Sequence, residues 1–301
     1  MADATRTTTL AAETFQETPH LREQAEESPK LEQLRGSARK VTLGTDGGET
    51  YYVLEGDLLY DDDELELHAL QQDVRARAKE VGLTPDAQSG REDALVVVAP
   101  GGKIVRWRPG KVLTYTVLRE SFPTEDNYNL VVESVKTATG AWQDTCGIMF
   151  EHRSEFDAHA NVSASPDDID AALVFTVRYI DAGGQFIAAA FFPTYPPARR
   201  RVLIDPSFFG DDLTFDRVGV LRHELGHTLG FRHEHIRSEA PAACPDEPAY
   251  DTLNLTDYDP QSVMHYFCGA VGSRELAITE LDRLGAQKVY GPSLSAMMLV
   301  D

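Results

Sequence analysis

Cysteine is scarce in this chain, 3 in 301 residues, which is too few for a disulfide framework to take the place of a hydrophobic core. Basic side chains are in deficit as well: 28 Lys and Arg stand against 49 Asp and Glu, a net charge of -21. So negative a surface repels phosphate backbones and anionic headgroups, which argues against nucleic acid or a membrane as a partner. No apolar run approaches the roughly 20 residues that span a bilayer. The first ten residues, Met1 to Leu10, lack the charged start and continuous apolar stretch of a secretory signal, so the sequence leaves the compartment open. What is present is a 42% hydrophobic content typical of a globular protein, over a length sufficient for one domain of ordinary size and something extra.

The chain is organised around His223-Glu224-Leu225-Gly226-His227-Thr228-Leu229-Gly230-Phe231-Arg232-His233-Glu234-His235. On a helix, residues four apart lie about 40° apart around the axis and one turn apart along it, so His223 and His227 can aim at one ion. Glu224 is rotated from His223 by about 100° and can reach a water on that ion without taking a coordination position. Gly230 can adopt a left-handed conformation at the helix end and turn the chain so that His233 returns to the same ion. Three imidazoles with a fourth position open favour a catalytic zinc over calcium or magnesium. A bare HExxH arises by chance in a chain of this composition with odds of roughly one in fifty. Gly230 and His233 lower those odds by a further factor of several hundred, on the order of the product of two residue frequencies.

This HExxHxxGxxH pattern, followed downstream by Ser262-Val263-Met264-His265-Tyr266, resembles the metzincin zinc peptidases, and the fuller HExxHxxGFxHEH with SxMHY is similar to the astacin family. The resemblance covers roughly residues 104 to 291 and implies an α+β fold: a twisted mixed sheet with two long helices, and an irregular C-terminal subdomain after the glycine turn, preceded by an N-terminal pro-region. It implies that Met264 underlies the metal site and that Tyr266 is a further zinc ligand able to swing away during catalysis. Cys244 and Cys268 bracket the methionine turn, so a bridge between them would pin the floor of the site. Cys146 is left over as a buried small hydrophobe; its segment is similar to one in astacins whose cysteine pairs near the C-terminus, but no late partner exists here.

Four segments follow from the sequence. Residues 1 to 40 read as a disordered polar leader, with one charge-rich helix near Leu21 that Pro29 would end. Residues 41 to 100 read as a pro-region: a hairpin from Val41-Thr42-Leu43 and Tyr51-Tyr52-Val53-Leu54, a helix over 64–82, and a linker from Thr84 to Gly90. Within it, Glu55-Gly56-Asp57 partly matches the Phe-x-Gly-Asp motif by which astacin proenzymes place an aspartate on the zinc, with Leu54 where the phenylalanine stands. Asp57 is therefore a latency ligand by resemblance or an ordinary turn aspartate. Residues 101 to 292 read as the catalytic domain and 293 to 301 as a tail.

In the catalytic domain, strands are expected over 112–118, 148–151, 172–179 and 202–205, with a polar loop at Pro166, Asp167 and Asp168. Tyr128, Val131, Val135, Ala138 and Trp142 recur at helical spacing after Pro123-Thr124. The small-residue run before Pro193 is similar to the metzincin edge strand that pairs with extended substrate, or is a plain buried strand. The zinc helix is expected over about 215–229, with Val218, Leu221, Leu225 and Leu229 as its apolar face and a closing helix over 276–290. His20, His68, His152 and His159 show no ligand spacing and read as surface residues, while His235 and His265 read as supporting the site. Glu234 has an astacin counterpart that meets the new N-terminus after activation, but Arg237-Ser238-Glu239-Ala240-Pro241 departs from the acidic stretch of that family. The sum is a monomeric zinc endopeptidase acting on protein or peptide, with Glu224 as general base and Tyr266 as oxyanion donor; the resemblance implies secretion. The alternatives are another metzincin branch, or a catalytically silent zinc module that binds peptide.

Overall fold

The computed structural model describes residues 10–43, 48–80, 95–158, 172–245 and 252–296. The chain divides into two compact units, Met1–Arg91 with Thr194–Pro196, and Glu92–Pro193 with Pro197–Asp301. The expected linker at 84–90, the loop at Pro166 to Asp168, His159 and the last five residues of the tail lie outside the described residues.

The first unit departs from the polar leader expected of residues 1 to 40. Helices α1 (Leu10–Glu17), α2 (Pro19–Glu26) and α3 (Pro29–Ser37) occupy most of it, and all three pack on α4 (Asp62–Glu80). Large apolar residues are few there but well placed: Phe15 and Leu31 are buried, together with the small Ala11 and Ala25. Pro29 does end the preceding helix, because proline fits the first position of a new one, and the Ser28 hydroxyl caps that start by accepting from the Leu31 N–H. The hairpin is β1 (Arg39–Leu43) with β2 (Glu49–Leu54), extended antiparallel by β3 (Leu58–Tyr60). Leu31, Tyr52, Leu65 and Ala69 form the core between helices and sheet. His68, expected at the surface, is buried on α4 against the Tyr60 ring and bonded to Gln72. Asp57 lies in the turn between β2 and β3, where Glu55 and Gly56 both take positive φ, 54° and 88°, and its side chain is buried. Tyr195 belongs with this unit and donates its hydroxyl to the Leu59 carbonyl.

In the second unit, β5 (Val112–Val117), β6 (Met149–His152), β7 (Phe175–Tyr179) and β9 (Arg201–Ile204) run parallel, and β8 (Ala188–Ala189) closes one edge antiparallel, in the order β6-β5-β7-β9-β8. Parallel neighbours need a long crossover. Between β5 and β6 it is α5 (Glu125–Thr145), started by the Thr124 side chain accepting from Asn127 N–H. Its predicted apolar stripe, Tyr128, Val131, Val135, Ala138 and Trp142, is buried throughout. The zinc helix is α6 (Arg217–Thr228), packed on α5, and Trp142 ties the two by donating Nε1–H to the Arg222 carbonyl at 2.8 Å. The closing helix is α7 (Glu280–Tyr290).

One boundary moves. The sequence places the start of the catalytic domain near residue 100, yet β4 (Val96–Val98) is already part of the second unit. It is the central strand of a small sheet, paired antiparallel with β10 (Phe231–Arg232) on one side and β11 (Thr252–Asn254) on the other. Three consecutive valines suit a strand with neighbours on both edges.

Candidate metal centre

Helix α6 begins at Asp216, whose carboxylate accepts from the Gly219 N–H at 2.7 Å. Its C-terminal turn ends at Gly230, with φ of 95°. A side chain there would strike the Val105 carbonyl, so glycine is required both for the left-handed turn and for close backbone approach. The turn delivers β10 and then His233.

His223, His227 and His233 are all buried. Their ligand nitrogens lie within 4.8 Å of one another, and Nε2 of His227 is 3.1 Å from Nε2 of His233. Two ring nitrogens at that separation suit one ion at about 2.0–2.1 Å from each. The opposite edge of two rings is fixed: Nδ1 of His223 is 2.8 Å from the Val263 carbonyl and Nδ1 of His227 is 2.8 Å from the Phe231 carbonyl. A carbonyl only accepts, so each Nδ1 carries the proton and each Nε2 presents its lone pair to the centre. The residues present therefore fit zinc. Glu224 is buried on the same helix, and the Tyr266 ring packs 4.4 Å from the His233 ring and 5.7 Å from that of His223.

The matrixin family model matches residues 106–247. High choriolytic enzyme 1 of Oryzias latipes is 41% identical over 61 residues, which is 16% of this chain and 23% of that protein. The astacin-like metalloendopeptidase of Coturnix japonica is 40% identical over 62 residues, 16% of this chain and 15% of that protein. Stromelysin-3 of Xenopus laevis is 28% identical over 181 residues, 57% of this chain and 34% of that protein. The chain is similar to metzincin zinc peptidases. It spans about a quarter or less of the length of the hatching-enzyme and astacin-like relatives it matches and a third of stromelysin-3. Among solved structures, that of myroilysin is 19% identical with a TM-score of 0.44, covering 65% of this chain and 98% of that one.

Met264 is fully buried, with its sulfur against Gly226 of α6. The turn that carries it hangs from Asp282. One carboxylate oxygen accepts from the Ser262 hydroxyl at 2.6 Å, the other from Val263 N–H at 2.8 Å, and the Ser262 hydroxyl in turn accepts from Met264 N–H at 3.0 Å. Asp282 also completes the capping box of α7 with Thr279, so the closing helix and the floor of the metal site share one carboxylate. Burial pushes its pKa up, against the pull of these donors. Asp282 and Gly226 escape sequence reasoning; the Thr279-x-x-Asp282 spacing is the available signal for the first.

Cys244 and Cys268 are bridged, with Cα atoms 5.0 Å apart, and Cys268 lies two residues after Tyr266. Cys146 is buried, and desolvation pushes its thiol up to about 12, which leaves it unreactive. Glu234 is fully buried, accepts from Asp259 N–H and lies 3.6 Å from Arg237. Burial pushes its carboxyl up to about 8 although Arg237 draws it down. His152 is not a free surface residue either: it bonds the buried Asp157 at 3.0 Å, which also accepts from Tyr128 and Thr116.

Proposed function

We propose that this chain is a metzincin, a zinc-dependent endopeptidase of the astacin branch. The observation that carries the reading is the convergence of three buried imidazoles, two of them locked by backbone carbonyls into the tautomer that offers Nε2 inward, with a buried carboxylate on the same helix. A zinc ion held by His223, His227 and His233 would polarise a scissile carbonyl and bring the pKa of a water to about 7. Glu224 takes a proton from the attacking water and delivers it to the amine nitrogen as the C–N bond breaks. Tyr266 donates its hydroxyl to the oxygen of the tetrahedral carbon. The astacin branch, rather than the matrixin branch, is favoured by a tyrosine two residues after Met264 whose ring stands against those of His223 and His233.

Substrates of this enzyme are proteins or peptides, bound in extended form along β8, a short strand at one edge of the five-stranded sheet. It acts as a monomer. The N-terminal unit is a pro-region, and Asp57 is its latency ligand: a carboxylate is an acceptable zinc ligand, and the positive φ of Glu55 and Gly56 makes the sharp turn that presents it. Secretion accords with the Cys244–Cys268 bridge, which forms in an oxidising compartment.

Glu224→Gln tests the reading. The variant should bind zinc stoichiometrically and lose turnover of a protein substrate by about 10² to 10⁴. Unchanged turnover in the variant would remove Glu224 from the mechanism, and an inert wild type that still captures peptide would establish the silent binding module instead.

A further inference from the structure

Tyr266 is held through its backbone and its ring by two histidines that are not ligands. Its N–H points to Nδ1 of His235 at 3.5 Å, and its carbonyl accepts from Nδ1 of His265 at 2.6 Å. Nε2 of His265 is 2.8 Å from the Tyr258 hydroxyl; since Nδ1 carries the proton, Nε2 accepts from Tyr258. The Tyr266 ring touches two imidazoles that also touch each other: His235 stacks on it at 4.6 Å with 26° between planes, and the ligand His233 meets it at 4.4 Å and 47°. His235 and His233 stack on each other at 5.0 Å.

The mount of His235 is itself rigid. It sits in the single turn Glu234–Ile236 directly after His233. That turn is fastened to the methionine turn by Glu234 N–H donating to the Met264 carbonyl at 2.9 Å, and by Asp259 N–H donating to the Glu234 carboxylate at 3.1 Å. His235 is therefore coupled at one end to a metal ligand and at the other to the floor of the site, and it is buried, so solvent does not reorient it.

We propose that His235 is a positioning residue that sets the orientation of the Tyr266 phenol. This rests on the oxyanion-donor reading of Tyr266 given above. A phenol that must donate in the transition state gains from being held at the correct angle beforehand, because ordering it during the reaction would add to the barrier. Offset stacking supplies that constraint, and the ring rather than the Nδ1 contact is what matters, since 3.5 Å is a long hydrogen bond.

The test uses the full chain with His235→Ala, His235→Leu and His235→Phe, each made alone and with Tyr266→Phe. Alanine and leucine should lower kcat roughly three- to tenfold with KM within about twofold, while phenylalanine, which keeps a ring, should restore kcat. In the Tyr266→Phe background alanine should make no further difference. Zinc stoichiometry should not change. An independent readout is ¹⁹F NMR of chain labelled with 3-fluorotyrosine: the resonance missing in Tyr266→Phe should shift or broaden in His235→Ala and return in His235→Phe. Equal losses in both backgrounds, a rise in KM alone, loss of zinc, or an unmoved fluorine resonance would each overturn the proposal. The NMR arm needs no turnover, so an inert wild type would count against the peptidase reading and leave the role of His235 separately decided.

Discussion

The sulfur of Met264 lies directly against the backbone of Gly226, so that a β-carbon at Gly226 would overlap it. Glycine inside a helix is ordinarily a defect that costs about 1 kcal/mol relative to alanine; here it is the condition for the floor of the site to reach the zinc helix between the first two ligands. The prediction is that Gly226→Ala, normally helix-stabilising, destabilises by about 1–3 kcal/mol as an overpacking change. Thermal unfolding of the zinc-loaded chain, with the metal measured alongside, checks it. A raised Tm would mean that the methionine does not press on this helix.

Tyr266→Phe removes a hydroxyl and nothing else. Removing one oxyanion donor commonly costs about 10² to 10³ in rate, so kcat should fall by that factor while Tm and zinc content stay where they were. Steady-state kinetics on a quenched peptide decide it, and full activity would remove the tyrosine from the mechanism.

The position of β4 makes a prediction about where the N-terminal unit can be cut away. Val96–Val98 lie between β10, whose Arg232 precedes ligand His233, and β11. A chain beginning at residue 92 should keep its zinc and fold. One beginning at residue 101 loses the central strand, leaves the edges of both neighbours unpaired, and should bind zinc poorly or aggregate. Equal behaviour of the two truncations in zinc binding and thermal unfolding would show β4 to be dispensable.

Asp57→Ala should raise the activity of the full-length chain, by at least about tenfold if the ligand bond it removes is worth about 1.4 kcal/mol. The assay is initial rate before any cleavage, with intact mass confirmed. An unchanged rate would return Asp57 to the status of an ordinary turn residue.

Much of the second unit is legible in the amino-acid sequence. The stripe from Tyr128 to Trp142, the helix start after Thr124, the turn at Gly230 and the three imidazoles are local patterns, in which residues a few positions apart share a helix face or bracket its end. The helices over residues 10–37 are not legible there. A segment with few large apolar residues reads as polar when averaged, whereas Phe15, Ala25 and Leu31 each need only one place on α4 or the sheet to hold their helix. His68 misleads for the same reason, since one imidazole reveals no partner until Tyr60 and Gln72 lie beside it.

The sequence by itself determined the chemistry, because the spacing of His223, Glu224, His227, Gly230 and His233 within eleven residues constrains one helix and one turn, and short-range geometry leaves little else for those side chains to do. The tertiary structure alone decided that Val96–Val98 completes the sheet beside the ligands, that Asp282 joins the closing helix to the methionine turn, and that His235 stacks on Tyr266. Those relations join residues roughly 20 or more positions apart, and no local pattern encodes which distant side chain a buried carboxylate, ring or strand edge will meet; packing and the demand that buried polar groups be paired settle it.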